Sequence, residues 1–539
     1  MIKSYKISSS ALVLVLSLYF GLVLNFGFWC FMADNLEISG WAGWVFLASL
    51  PFFIVVPLYL FFSLIVCPYI AKPLLTILLL LSSVANYAMF NLGVFIDSDM
   101  YRNIIETNSR EAFDLITFSA VVWVLLSGIL PLLPLWWAKI VFGPWKTELF
   151  LRFRNMLAAF LMLLCFVPVS YKEYVSFGRN NREVRKLINT FNYIYAVGRY
   201  YKRQSDATRK FVVLDDKASA EFPVNAPRRV LVLMIGETAR AKNFSLYGYE
   251  RETNPLLAKQ DIVSFQDASS CGTATAVSLP CMFSHFGRDN FDADDAKYTQ
   301  NLVDLLQLAG YDVWWRENDD GCKGVCKRVA SEDMVASRNP VHCEKDFCRD
   351  EVLLNGLFEK ISELKKDTVI VLHMMGSHGP TYYKRYPERF KKFLPACDTA
   401  DLQKCSREQI VNTYDNTILY TDFVISSAID ILKKFPQYET GLIYISDHGE
   451  SLGENNIYLH GIPYAIAPQE QKKVPFLLWM SEKMKKSTSS DWKCLQRQAR
   501  TAGYSQDNLF HWVLGLMKVK TSVYDAGLDI FSSCTLSAK

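Results

Sequence analysis

Apolar positions along the chain fall into two regimes. Up to residue 170 they form long unbroken runs, near 11–33, 43–67, 73–95, 117–138 and 153–170. A helix crosses a bilayer with about 20 apolar residues, so these runs predict five membrane spans. From Arg229 onward the apolar runs shorten and alternate with polar helical stretches. Val230–Ile235, Thr368–His373 and Gly441–Ser446 read as buried strands, each ending in polar residues. Buried strands between helices predict a parallel or mixed α/β sheet, whose ligands bind at the carboxyl ends of the strands. Between the regimes, residues 182–203 mix Tyr193, Ile194, Tyr195 and Val197 with Arg185, Lys186, Arg199, Lys202 and Arg203. Tyrosine and basic residues together suit a headgroup layer and predict an amphipathic helix on a membrane surface. The chain therefore divides into a five-helix transmembrane domain over 1–170, an interfacial amphipathic linker over 171–228 and a soluble domain over 229–539.

Composition sharpens this division. The chain is 51% hydrophobic and 21% charged, yet residues 1–170 carry only nine Lys/Arg and eight Asp/Glu. That excludes a cytosolic globule and a disordered chain. Positive charge sits on alternate loops: Lys3 and Lys6, then Lys72, then Lys139, Lys146, Arg152 and Arg154. The positive-inside rule puts the N-terminus in the cytoplasm and, after five spans, the soluble domain outside. The first span is too long for a signal peptide and lacks a small-residue cleavage site, so it stays attached. A net charge of +4, without a basic stripe or a zinc-finger pattern, excludes a nucleic-acid partner.

Cysteine usage agrees with an outside location. Cys30, Cys67 and Cys165 lie in the apolar third and read as small buried hydrophobes. Ten more lie in the soluble part, an even number that suggests five disulfides in an oxidising compartment. Closeness in the chain favours Cys271 with Cys281, Cys322 with Cys326, Cys343 with Cys348 and Cys397 with Cys405, leaving Cys494 with Cys534. A thiolate zinc site on Cys322, Cys326, Cys343 and Cys348 is the rival reading, and it leaves the other cysteines unexplained.

The strand ends carry the candidate chemistry. They hold Glu237, His373 with His378, and Asp447, His448 and Glu450, with His460 a little further on. Carboxylates and imidazoles together are ligands for a zinc-type ion. His285, His342 and His511 lack such company and read as structural. Ser270-Cys271-Gly272-Thr273-Ala274-Thr275-Ala276 places hydroxyls on a small-residue turn that opens a helix, where free N–H groups favour an anion. A hydroxyl beside zinc ionises more readily and can attack phosphorus, but the turn alone does not choose between Thr273 and Thr275.

Four motifs in order, Gly236-Glu237-Thr238-Ala239-Arg240, Ser270 to Ala276, Gly376-Ser377-His378-Gly379-Pro380 and Ser446 to Asn455, resemble those of the lipid A phosphoethanolamine transferases. The resemblance covers nearly the whole chain. It implies an alkaline-phosphatase-like α/β hydrolase fold behind the five-helix transmembrane domain, and a zinc-dependent enzyme. It also implies that Thr275 is the nucleophile and that Glu237, Thr275, Asp447 and His448 hold the zinc. His378 and His460 match positions that bind a second zinc or the phosphate, and Lys323 one that neutralises phosphate charge. Asn103, Thr107 and Glu111 match positions expected to contact the phosphoethanolamine headgroup. Asp320 stands where a small uncharged residue is expected, which alters the charge around Lys323.

On this resemblance the donor is phosphatidylethanolamine and the acceptor lipid A, at the inner membrane of a Gram-negative cell with the catalytic domain periplasmic. Resistance to polymyxin and other cationic peptides is the implied outcome. A same-fold transferase acting on core sugar or periplasmic glucan is the close alternative. A sulfatase is disfavoured because the sequence has no Cys-x-Pro-x-Arg motif. A non-catalytic receptor is disfavoured by the intact Glu237, Thr275, Asp447 and His448.

Overall fold

Chain contacts divide the protein into two units, Met1–Arg209 and Lys210–Lys539. The computed structural model describes residues 5–36, 38, 40–91, 101, 118–223, 226–344, 347–455, 457–489 and 491–534. In the first unit, four helices are long and apolar enough to cross a membrane: Gly40–Ile65, Ala71–Asn91, Phe118–Trp137 and Trp145–Phe166. A fifth candidate is the pair Ser9–Val23 and Phe26–Asn35, bent by 49°. The first apolar run is thus two helices bent against each other rather than the straight helix its hydropathy suggests. Asn25 sits at the break and donates to the Phe20 carbonyl at 2.8 Å. It also accepts from the Asn189 backbone N–H at 2.7 Å, while the Asn189 side chain donates to the carbonyls of Leu24 and Ser82, each at 2.7 Å. Backbone groups freed by the bend are therefore satisfied inside the protein, as an apolar surrounding requires.

Lys6–Ser8 pairs in parallel with Lys139–Val141, which brings two of the basic segments together. The last membrane helix begins at Trp145, eight residues before the apolar run, because Arg152 reaches back to Glu148 at 3.1 Å and to the Ser63 carbonyl at 2.7 Å. The following region is not one amphipathic helix. It breaks into Tyr171–Asn180, a 3₁₀ turn over Arg182–Leu187 and Phe191–Ala207, with Thr190 at φ 75° where the chain turns.

The second unit is built on a seven-stranded sheet. Its strands in chain order are β1 (Arg229–Gly236), β2 (Ile262–Ser264), β3 (Asp312–Glu317), β4 (Ala330–Asp333), β5 (Thr368–His373), β6 (Glu439–Ser446) and β7 (Phe476–Met480). Their order across the sheet is β2-β7-β6-β1-β5-β3-β4, and β7 alone runs against the others. β1, β5 and β6 are buried along their whole length, which explains their continuous apolar runs. On one face Leu231, Leu233, Ile235, Val371 and Ile445 pack with Leu305, Leu509 and Trp512 from the helices Leu302–Leu308 and Asp507–Leu516. The long helix Arg407–Leu432 packs against β6 and starts from a capping box between Ser406 and Gln409.

All five anticipated cysteine pairs are joined: Cys271–Cys281, Cys322–Cys326, Cys343–Cys348, Cys397–Cys405 and Cys494–Cys534. The thiolate zinc reading therefore does not hold for Cys322, Cys326, Cys343 and Cys348.

Candidate active site and metal centre

Strand register assembles the site. Ser446 stands opposite Gly236, so the next residues, Asp447 and Glu237, leave neighbouring strands side by side. On the other flank His373 is level with both Ile235 and Glu317. Ligand atoms of Glu237, His448 and His460 all lie within 4.8 Å of one another.

Thr275 is the first residue of the helix Thr275–Met282, and its Oγ1 donates to Glu237 Oε2 at 2.9 Å. The same oxygen is 3.5 Å from His448 Nε2. Thr273 instead points elsewhere, donating to the Ile462 carbonyl at 2.6 Å. Of the two hydroxyls that the turn alone left open, Thr275 is the one that faces the acids.

His448 Nδ1 lies 2.9 Å from the Gly449 carbonyl, so Nδ1 carries the proton and Nε2 presents a lone pair. That lone pair faces Asp447 Oδ2 at 3.4 Å and Glu237 Oε1 at 3.5 Å. Asp447 Oδ2 is buried with no hydrogen-bond donor among the described residues. Acceptors turned on one another in a dry site repel unless a cation lies among them, and this oxygen and nitrogen donor set suits zinc. Burial, then the Asp447 carboxylate, push the Glu237 carboxyl up to about 8. Burial likewise raises Asp447.

Two backbone features hold Glu237 in place. Thr238 adopts φ 61°, an uncommon conformation for a β-branched residue, and turns its N–H onto Asp447 Oδ1 at 3.1 Å. Its hydroxyl donates to Glu237 Oε1 at 2.5 Å, and its carbonyl accepts from Tyr414 at 2.7 Å. Gly376 has φ 51°, and a Cβ there would stand 2.4 Å from the Glu237 carbonyl oxygen.

His378 and His460 join the same site. The His460 ring centroid is 4.3 Å from that of His448 and 5.8 Å from that of His378. His460 Nδ1 lies 2.8 Å from Glu450 Oε2, and the other oxygen of Glu450 accepts from the Tyr382 hydroxyl. Lys323 Nζ donates to the Asp320 carbonyl at 2.6 Å, in the turn after β3. Asn103, Thr107 and Glu111 lie outside the described residues. His373 is buried against Glu317, with Nδ1 2.7 Å from Oε1. Burial would lower its pKa, but the Glu317 carboxylate overrides this and lifts it to about 9. Asp319, raised to about 7 by burial and then by Glu237, was not anticipated. It lies two residues past β3, a strand that the apolar pattern does not mark, so nothing in the sequence brings it toward Glu237.

Residues 229–519 match the sulfatase family, and residues 54–205 match the family described as phosphoethanolamine transferase EptA/EptB. The chain is 42% identical over 539 residues to phosphoethanolamine transferase EptA of Escherichia coli K12, covering 99% of this chain and 98% of that protein. The integral membrane lipooligosaccharide phosphoethanolamine transferase A of Neisseria meningitidis superposes with a TM-score of 0.66 at 39% identity, covering 98% of this chain and 99% of that one. The C-terminal periplasmic domain of Escherichia coli EptC, solved in complex with Zn, matches 60% of this chain and 90% of its own length, with a TM-score of 0.50 at 25% identity.

Proposed function

Because the chain belongs to the phosphoethanolamine transferase family, we propose that it moves phosphoethanolamine from phosphatidylethanolamine to a phosphate group of lipid A, through a covalent phosphothreonine at Thr275. The observation that carries this reading is the Thr275 hydroxyl, 2.9 Å from Glu237 Oε2 and 3.5 Å from His448 Nε2 at a helix N-terminus. Thr275 Oγ1 attacks the donor's phosphorus, and its proton passes to Glu237 Oε2. The bond from phosphorus to the diacylglycerol oxygen breaks, and Glu237 returns that proton to the leaving oxygen. A lipid A phosphate monoester oxygen then attacks the same phosphorus and gives up its proton to Glu237, the bond from phosphorus to Thr275 Oγ1 breaks, and Thr275 takes that proton to restore its hydroxyl. Zinc, held by Glu237, Thr275, Asp447 and His448, would supply the positive charge that eases ionisation of the hydroxyl and offsets charge on the phosphoryl group.

His378 and His460 bind phosphoryl oxygens or a second zinc. Lys323 adds positive charge once it leaves the Asp320 carbonyl. Asn103, Thr107 and Glu111 are the residues we assign to the headgroup, with Glu111 the anion for its ammonium. The apolar helices keep the donor's acyl chains in the inner membrane of a Gram-negative cell, with the N-terminus cytoplasmic and the catalytic domain periplasmic. An added ammonium offsets negative charge on lipid A, which weakens attraction of polymyxin and other cationic peptides. The sulfatase-family match supports the fold of residues 229–519. A threonine, rather than the cysteine that becomes formylglycine, at the reacting position favours phosphoryl transfer.

The test is mass spectrometry of lipid A from a Gram-negative host that lacks its own transferases and expresses the native chain or Thr275→Ala. A phosphoethanolamine increment with the native chain alone supports donor group, acceptor and nucleophile together. No increment on lipid A from folded, zinc-loaded protein moves the acceptor to core sugar or glucan.

A further inference from the structure

Gln506 is fully buried, 235 residues from the turn that carries Thr275. It precedes the helix Asp507–Leu516, whose Leu509, Trp512 and Val513 are core residues, and its own N–H is held by the Ser269 carbonyl at 3.0 Å. Its amide is therefore anchored from behind. In front, Oε1 accepts from the Cys271 backbone N–H at 2.7 Å. Nε2 donates to the Ser446 carbonyl at 2.8 Å and to the Asp447 carbonyl at 2.7 Å. The orientation is unambiguous, because an N–H needs the amide oxygen and two carbonyls need the NH₂ group.

These three bonds join two chain segments that the reaction must hold in register. One is the disulfide-closed turn from Cys271 to Cys281, which presents Thr275. The other is the end of β6, which presents Asp447 and His448. The turn follows Asp267–Ser269, which pairs with Gly503–Ser505 in a separate two-stranded sheet, whereas β6 belongs to the seven-stranded sheet. We propose that Gln506 is a positioning residue that sets the distance between Thr275 and the ligands Asp447 and His448. The inference rests on the reading of Thr275 as nucleophile. Without the bridge, one N–H and two carbonyls lose their partners in a buried place, and the two segments relax apart to find others. Misplacement of reacting atoms by about 1 Å costs roughly a hundredfold in rate.

Two near-isosteric variants of the full-length protein separate the bonds. Gln506→Glu keeps an acceptor for Cys271 N–H and loses both donors, whereas Gln506→Met loses all three bonds. At saturating zinc, kcat for release of diacylglycerol from phosphatidylethanolamine in detergent is expected to fall at least tenfold in both, with KM within about twofold of the native value. Hydrogen exchange supplies a readout independent of activity: the Cys271 amide stays protected in Gln506→Glu and loses protection in Gln506→Met. Asp422→Ala is the control for a purely structural loss, since Asp422 is a buried cap on Leu256 and Leu257 in another part of the unit. If the Gln506 variants lose no more kcat than Asp422→Ala at equal loss of melting temperature, the positioning role is wrong. If both fail to accumulate, the shorter Gln506→Asn is judged by the same comparison. Thr275→Ala runs alongside. Activity retained there overturns the nucleophile assignment, while an inactive Thr275→Ala with fully active Gln506 variants overturns only this inference.

Discussion

Replacing Gly376 with alanine tests whether the site depends on one close backbone approach. The new Cβ would meet the Glu237 carbonyl oxygen at 2.4 Å, its nitrogen at 2.8 Å and its carbonyl carbon at 3.2 Å. All three are main-chain atoms, so no side chain can swing aside. The left-handed φ of 51° adds about 1 kcal/mol for any residue with a Cβ. Ordinary contact lies near 3.2 Å or more, so relief requires Gly376 and Glu237 to separate by about 0.8 Å, which carries the Glu237 carboxylate away from Thr275. A shift of that size predicts a loss of roughly a hundredfold in turnover. Gly356→Ala is the matched control, with φ 67° and nothing within 4 Å of its Cβ. It bears only the conformational cost, about 2 °C in melting temperature for a unit of this size. The assay is diacylglycerol release by detergent-solubilised protein, paired with thermal melting. Native turnover in Gly376→Ala, with a melting loss equal to that of Gly356→Ala, would refute the argument.

Other perturbations address separate parts of the molecule. Thr275→Ala abolishes transfer, whereas Thr275→Ser retains a hydroxyl and a measurable fraction of the rate; equal activity in both removes Thr275 from the chemistry. Chelation of zinc lowers the melting temperature of the catalytic unit, and a hundredfold excess of zinc over its Kd restores about 2.7 kcal/mol. Asp447→Asn is expected to blunt that response. His373 has a folded pKa of about 9, above the ordinary 6.5, so its stabilisation is complete below pH 6.5 and is lost as pH rises through 9. Melting followed from pH 6 to 10 should show that decline, and Glu317→Gln should flatten it. Cys494–Cys534 closes a 40-residue separation and Cys322–Cys326 one of 4. Loop entropy then assigns about 4 and 2 kcal/mol, which denaturant titration of the paired serine variants can rank.

The parts of the fold visible in the sequence were those where one local property decides the outcome. β1, β5 and β6 announced themselves because burial on both faces demands unbroken apolar runs. β3 did not, since Asp312, Arg316 and Glu317 interrupt Asp312–Glu317 with charges whose partners come from other segments. Glu237, Asp447 and His448 were legible as strand ends. Gln506 was not, because an amide 235 residues from its partner leaves no trace in composition or period. The break at Asn25 was missed for a related reason. A lone polar residue in an apolar run reads as tolerable until its partner, Asn189, is known.

That asparagine pair also constrains how the protein is made. Asn25 leaves the ribosome 164 residues before the N–H that it must accept. At about 5–20 residues per second, synthesis needs roughly 10–30 s to deliver Asn189. Through that interval the first helix enters the bilayer with a polar side chain and freed carbonyls that its final partner cannot yet cover. Until Asn189 is made, the Asn25 side chain has only its local bond to the Phe20 carbonyl, and the Leu24 carbonyl lacks the amide that covers it in the finished protein. The contacts that close the bend in the first apolar run therefore form only after the later apolar helices have been made.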